Sequence, residues 1–122
     1  MYGDTTVVRR RSGQLREQSV ELRALADRLV AEVEALGWRG RAATDLAERV
    51  RDRAGNLRAC AAQHDEGADL LDRHGHEVDR LQDLIATTEQ RAARLLADGS
   101  LDDFVAPPPG HRDWLAVTLP GG

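Results

Sequence analysis

No proline occurs before Pro107 in this chain of 122 residues, and all four prolines lie between Pro107 and Pro120. A proline inside a helix costs roughly 3 kcal/mol, so the long segment without one is free to be helical throughout. Its composition agrees, because alanine, leucine, arginine and glutamate together make up almost half of the chain, a usage typical of long helices and coiled coils. The composition shifts near residue 98, where Gly99 opens a stretch that also holds Gly110, Gly121 and Gly122. This divides the chain into a helical domain over 1–97 and a Pro/Gly-containing C-terminal tail over 98–122.

Within the helical domain, steps of seven connect Val8, Leu15, Leu22, Leu29 and Leu36, and Ser12, Ser19, Ala26 and Val33 follow the first four at a distance of four. A line of large residues flanked by small ones is a heptad seam. Further on, the same step connects Ala43, Val50, Leu57, His64, Leu71, Val78, Ile85 and Ala92 without a change of phase. A register kept that long predicts one helix over about 41–97. Gly37 and Gly40, on either side of Trp38 and Arg39, predict a turn at 37–40 and a first helix over about 5–37, with Asp4, Thr5 or Thr6 as its cap. The expected fold is all-α, an antiparallel two-helix hairpin. A break at Gly67 or Gly75, sending 77–97 back as a third helix, is the competing arrangement.

At the usual rise per residue the first helix is about 50 Å long and the second about 86 Å. The shorter helix cannot cover the longer one, and a hairpin gives each helix a single neighbour. Both features predict association, most simply two hairpins in a four-helix bundle. The expected interface is Leu15, Leu22, Leu29, Leu36, Val50, Leu57, His64, Leu71, Val78 and Ile85. His64 interrupts this seam, as do Cys60, Gly67, His74 and Gly75 nearby, and polar or small residues at such positions select register and partner.

Other classes of function are poorly served. A net charge of -4 provides no global basic field for nucleic acid. Apolar runs of four residues fall far short of the roughly 20 needed to span a membrane. Arg9, Arg10 and Arg11 are followed by a polar stretch, so they do not open an export signal of the usual kind. The single cysteine, Cys60, permits no internal disulfide. Cys60 and His64 share a helix face, but His74 lies about 21 Å further along a straight helix and cannot complete a metal site with them. A nucleophile in mid-helix also has no free backbone N–H to stabilise an oxyanion. No catalytic residue, metal or cofactor is expected.

The turn carries a resemblance. Leu36-Gly37-Trp38-Arg39-Gly40-Arg41-Ala42-Ala43, followed by Leu46 and set between two long amphipathic helices, resembles the WXG superfamily. These are the ESAT-like helical hairpins exported by type VII secretion systems of Gram-positive bacteria. The resemblance covers about residues 5–97, with Trp38 and Gly40 at its defining positions. It implies an antiparallel hairpin, dimerisation into a four-helix bundle, and export in the folded state without a cleaved signal peptide. It also implies a role as partner or carrier of an effector and not as an enzyme. One departure matters: the family's Tyr-x-x-x-Asp/Glu export motif after the second helix is missing, since the sole tyrosine is Tyr2. A partner is then expected to supply that signal.

The expected function is a non-enzymatic, type VII secretion-associated protein that dimerises and is exported with, or presents, a partner or effector. Its partner would be a second copy, a related hairpin or an effector, and it would be secreted, or cytoplasmic before export. Alternatives are a cytoplasmic chaperone or targeting factor for a secreted effector, and an unrelated coiled-coil adaptor. Two features remain. Residues 41–58 are net basic and 59–97 net acidic, either a solvated surface or a means of steering a partner. In the tail, Phe104, Trp114 and Leu115 are candidates for docking, with 114–119 expected to be extended after Pro107-Pro108-Pro109.

Overall fold

The structure is a computed structural model that describes residues 5–37 and 39–120. Trp38 and Asp4 lie outside the described residues. Two helices pack against each other, α1 over Thr5–Ala35 and α2 over Arg41–Ala97, and a short 3-10 helix covers Arg112–Ala116. Gly67 and Gly75 both lie inside α2, so the break considered at either position does not occur. Between the helices Gly37 and Gly40 take φ of 63° and 102°, left-handed values that favour glycine, and α1 therefore ends at Ala35, two residues short of expectation. The Thr44 N–H donates to the Gly40 carbonyl at 3.0 Å and opens α2. At its far end Gly99, with φ 72°, allows the Gly99 and Ser100 N–H groups to reach the Leu96 and Leu95 carbonyls in a Schellman cap.

The chain forms two compact units, one of Arg9–Asp72 and one joining the N-terminal residues through Val8 to the chain from Arg73 onward. In the first unit the helices run antiparallel. Contacts from α1 at Ser12, Arg16, Arg23, Asp27 and Glu34 fall in turn on Asp72, Asp69, Asp65, Arg58 and Arg51 of α2. The residues closed off between the helices are small: Ser12, Ser19 and Ala26 from α1, and Ala54, Ala61 and Ala68 from α2, with none more than 1% exposed. A seam of such residues brings helix axes closer than leucines permit. The two buried serines are satisfied: the Ser12 hydroxyl donates to Asp72 Oδ1 at 2.6 Å and accepts from Arg16 Nη1 at 2.6 Å, and the Ser19 hydroxyl accepts from Arg23.

In the second unit Thr5 Oγ1 donates to Asp79 Oδ1 at 3.1 Å. Further along α2, Ile85 and Ala92 form a buried cluster with Trp114, against which Phe104, Val117 and Leu119 pack. The tail is folded onto the helix at this point. The Trp114 indole N–H donates to the Pro108 carbonyl at 3.0 Å, and the Gly110 N–H donates to Glu89 Oε1 at 2.5 Å. Residues 112–116 are helical, contrary to the extended segment expected there. His111 caps that turn by accepting the Asp113 N–H on Nδ1, and the turn carries the Trp114 ring onto Ile85 and Ala92.

Two substitutions test the small-residue seam. Ala61→Leu inserts a side chain where the helices touch and is expected to lower stability by about 1–3 kcal/mol. Gly67→Ala places a Cβ 3.5 Å from Leu15 Cδ1, an ordinary contact, and removes an interior helical glycine, so a gain of about 1 kcal/mol is expected. Urea unfolding followed by circular dichroism measures both.

Candidate functional site: the apolar face of the hairpin

The buried line of each helix divides its surroundings into two faces. In a heptad, a residue four positions after a seam residue lies on one side of the seam and a residue three positions after it lies on the other. In an antiparallel pair, equivalent sides of the two helices come together.

The four-after lines carry charge. They contain Arg16 and Arg23 on α1 and Arg51, Arg58, Asp65 and Asp72 on α2. Arg16 Nη2 lies 2.8 Å from Asp69 Oδ1 and 2.7 Å from Asp72 Oδ2, Arg23 Nη1 lies 2.8 Å from Asp65 Oδ2, and Arg58 Nη2 lies 2.8 Å from Asp27 Oδ1. Near the turn, Arg51 Nη2 stands 3.9 Å from Glu34 Oε1. These ion pairs account for part of the charge that the sequence left open to a partner, since Asp65, Asp69 and Asp72 of α2 meet arginines of α1, and Arg51 and Arg58 of α2 meet acids of α1. Each pair is solvent-exposed and contributes little by itself, but the ladder favours this antiparallel register over a slipped one. The Arg23 guanidinium, followed by the Ser19 hydroxyl, holds the Asp65 carboxyl below its ordinary range, and the Asp72 and Asp69 carboxylates raise the Arg16 guanidinium further.

The three-after lines are apolar. They carry Leu15, Leu22, Leu29 and Leu36 on α1 and Val50, Leu57, His64 and Leu71 on α2. All of these are half-buried except Leu36, which is 46% exposed. The hairpin thus keeps its largest side chains beside its seam and not inside it. Between them lies an open groove of about 530 Å³ lined by Gln18, Glu21, Leu22, Leu25, Arg28, Cys60 and His64. Close to the turn a smaller hollow of about 270 Å³ is lined by apolar residues such as Val33, Leu36 and Leu46 together with Glu34, Thr44 and Arg51. The remaining two residues of the expected interface are differently placed: Val78 is 8% and Ile85 3% exposed, and Ile85 is covered by the tail cluster. In the tail, Trp114 and Phe104 face each other at 6.2 Å between ring centroids, whereas Leu115 is 41% exposed.

His64 Nδ1 is 2.8 Å from the Cys60 carbonyl oxygen, which only accepts, so this nitrogen carries the proton and cannot act as base toward the Cys60 thiol 3.7 Å away. Among the described residues no group of three or more His, Cys, Asp or Glu is arranged to hold a metal ion, and no helix is long and apolar enough to cross a membrane. What the face offers is half-buried apolar surface. Sequence reasoning missed the line Ala54, Ala61 and Ala68 as the contact of α2, although its seven-residue spacing was a readable signal. It also missed Leu25 as part of the groove.

The Asp65 contact has a pH consequence. Its folded value lies below the unfolded value of about 3.9, so its contribution to stability is complete above that value and is lost as pH falls through the folded one. The midpoint of thermal unfolding is expected to fall on acidification from about pH 5 to pH 3, and Asp65→Asn is expected to make that decline shallower. Differential scanning calorimetry across the range checks the sign.

Comparison with known proteins adds nothing to this geometry: no family model, no curated protein and no solved structure matches the chain.

Proposed function

We propose that this chain is a non-enzymatic interaction protein of the WXG type that associates through the apolar face of its hairpin with another helical hairpin, forming a four-helix bundle. In this reading the assembly belongs to a type VII secretion pathway. The protein is exported with, or presents, a partner or effector, and leaves the cell without a cleaved signal peptide. The observation that carries the proposal is the arrangement of Leu15, Leu22, Leu29, Val50, Leu57 and Leu71, which line one face of the Arg9–Asp72 unit and are only half-buried by it. A two-helix layer whose own contact is made of alanine and serine buries little apolar surface. A second layer on the leucine face completes a core of ordinary size. The Trp-x-Gly sequence at Trp38 and Gly40 supplies the link to secretion, and the absent tyrosine motif assigns the export signal to the partner.

The test is light scattering coupled to size exclusion, with the chain alone and co-expressed with the product of its genomic neighbour. The expected mass is that of two chains. A compact monomer in both cases overturns the proposal. Leu22→Asp combined with Leu57→Asp is expected to weaken association by about 2 kcal/mol or more while helical circular dichroism is retained, because neither residue belongs to the seam between α1 and α2. Detection in culture supernatant with and without the secretion ATPase separates an exported partner from a retained cytoplasmic chaperone.

A further inference from the structure

The tail sits on a surface whose pattern belongs to a helix. In the unit that contains it, Val78, Leu81, Ile85, Thr88, Ala92 and Leu95 follow the alternating steps of three and four of a coiled-coil seam. Val78, Ile85 and Ala92 are buried and the other three half-buried. Glu89, beside this stripe, stands on the heptad line of Ala54, Ala61 and Ala68, which α1 covers nearer the turn. Past Asp79, which Thr5 at the start of α1 reaches, the tail takes both lines: Trp114 closes over Ile85 and Ala92, and the Gly110 N–H donates to Glu89 Oε1. The hold is slight for so long a segment. The tail is irregular apart from Arg112–Ala116, and Trp114 is its one buried residue among those described. The indole N–H donates to Pro108, within the tail itself, and Asp103 takes φ 54°, a left-handed conformation with a steric cost. Leu84 and Leu96, on the flanks of the stripe, stay 44% and 47% exposed, so a helix laid along it would bury apolar surface that the tail leaves open.

We infer that the tail is an autoinhibitory cover, which keeps the end of α2 from pairing with the same stripe of a second copy of this chain. A seam with this spacing packs against a like seam. Glu77, Leu84 and Arg91 follow one another by seven along one flank of it. In an antiparallel pair that flank meets its own copy, with Leu84 against Leu84 and each Glu77 against the opposite Arg91, an arrangement that favours a second copy. Within the single chain Glu77 holds Arg80 at 2.6 Å, an exposed pair that contributes little by itself. The inference is independent of the pairing proposed above, which uses the leucines of the Arg9–Asp72 unit.

The test uses the full chain, carrying Leu22→Asp and Leu57→Asp throughout so that the leucine face takes no part in the readout. Phe104→Asp and Trp114→Asp are added to force the tail off the helix, and mass is followed by light scattering coupled to size exclusion over a concentration series. Release of the tail is expected to double the mass at concentrations where the tail-closed chain does not associate, with helical circular dichroism retained. Adding Ile85→Asp is expected to restore the lower mass. So is a synthetic peptide of residues 98–122 at roughly millimolar concentration, the effective concentration that a short tether supplies, whereas the same peptide with Trp114→Ala is expected to have no effect. An unchanged mass on release overturns the inference, and so does loss of helical signal without association, which would make the tail a support of α2 alone. A doubled mass that survives Ile85→Asp, or that the peptide does not reverse, also overturns it, because the tail and the second copy would then not compete for one stripe.

Discussion

Everything in the hairpin follows from the closeness of α1 and α2 along Ser12, Ser19 and Ala26 on one side and Ala54, Ala61 and Ala68 on the other. Small side chains allow the backbones to approach, and that approach decides which residues are left for other uses. Because the leucines are not needed to fill the seam, they flank it. Because the seam is narrow, arginine and aspartate side chains on the opposite flank span the pair, as Arg16 does to Asp69 and Asp72. The buried serines join the two systems: Ser12 lies in the contact and at the same time holds Asp72 and Arg16.

The result is a hairpin with two unlike faces. One is closed by ion pairs within the chain and has little to offer a partner. The other is apolar and grooved. A helix that displays a continuous apolar stripe buries it against something, and the chain does this for itself only at the end of α2. There Trp114 and Phe104 cover Ile85 and Ala92 on the same heptad line that carries Val50, Leu57, His64 and Leu71. Where the tail covers the line it is buried; within the Arg9–Asp72 unit it is half-open.

Much of this was legible in the residues. The absence of proline before Pro107 and the unshifted seven-residue step from Ala43 to Ala92 point to two long helices, and Gly37 with Gly40 places the turn between them. Gly99 marks the end of the second helix, where a Schellman cap is found. The candidate interface was legible as a stripe but not as a surface. Heptad periodicity places residues on lines and does not say which of two adjacent lines makes the contact. Leu15, Leu22 and Leu29 were as good a seam as Ser12, Ser19 and Ala26 on that criterion alone.

The sequence by itself therefore pointed to two long helices and a stripe of leucines, because local propensity and spacing govern those properties along one chain, but it left a third helix after Gly67 or Gly75 open. Tertiary structure decided what each line does. It chose the alanine and serine lines for the contact, since that register satisfies both buried hydroxyls and aligns Arg16, Arg23 and Arg58 with their carboxylates. It also folded the tail onto Ile85 and Ala92, a pairing between residues too far apart in sequence for any local rule to specify. The leucine face is open for the same reason: which side of a helix remains uncovered depends on what the rest of the chain has already reached.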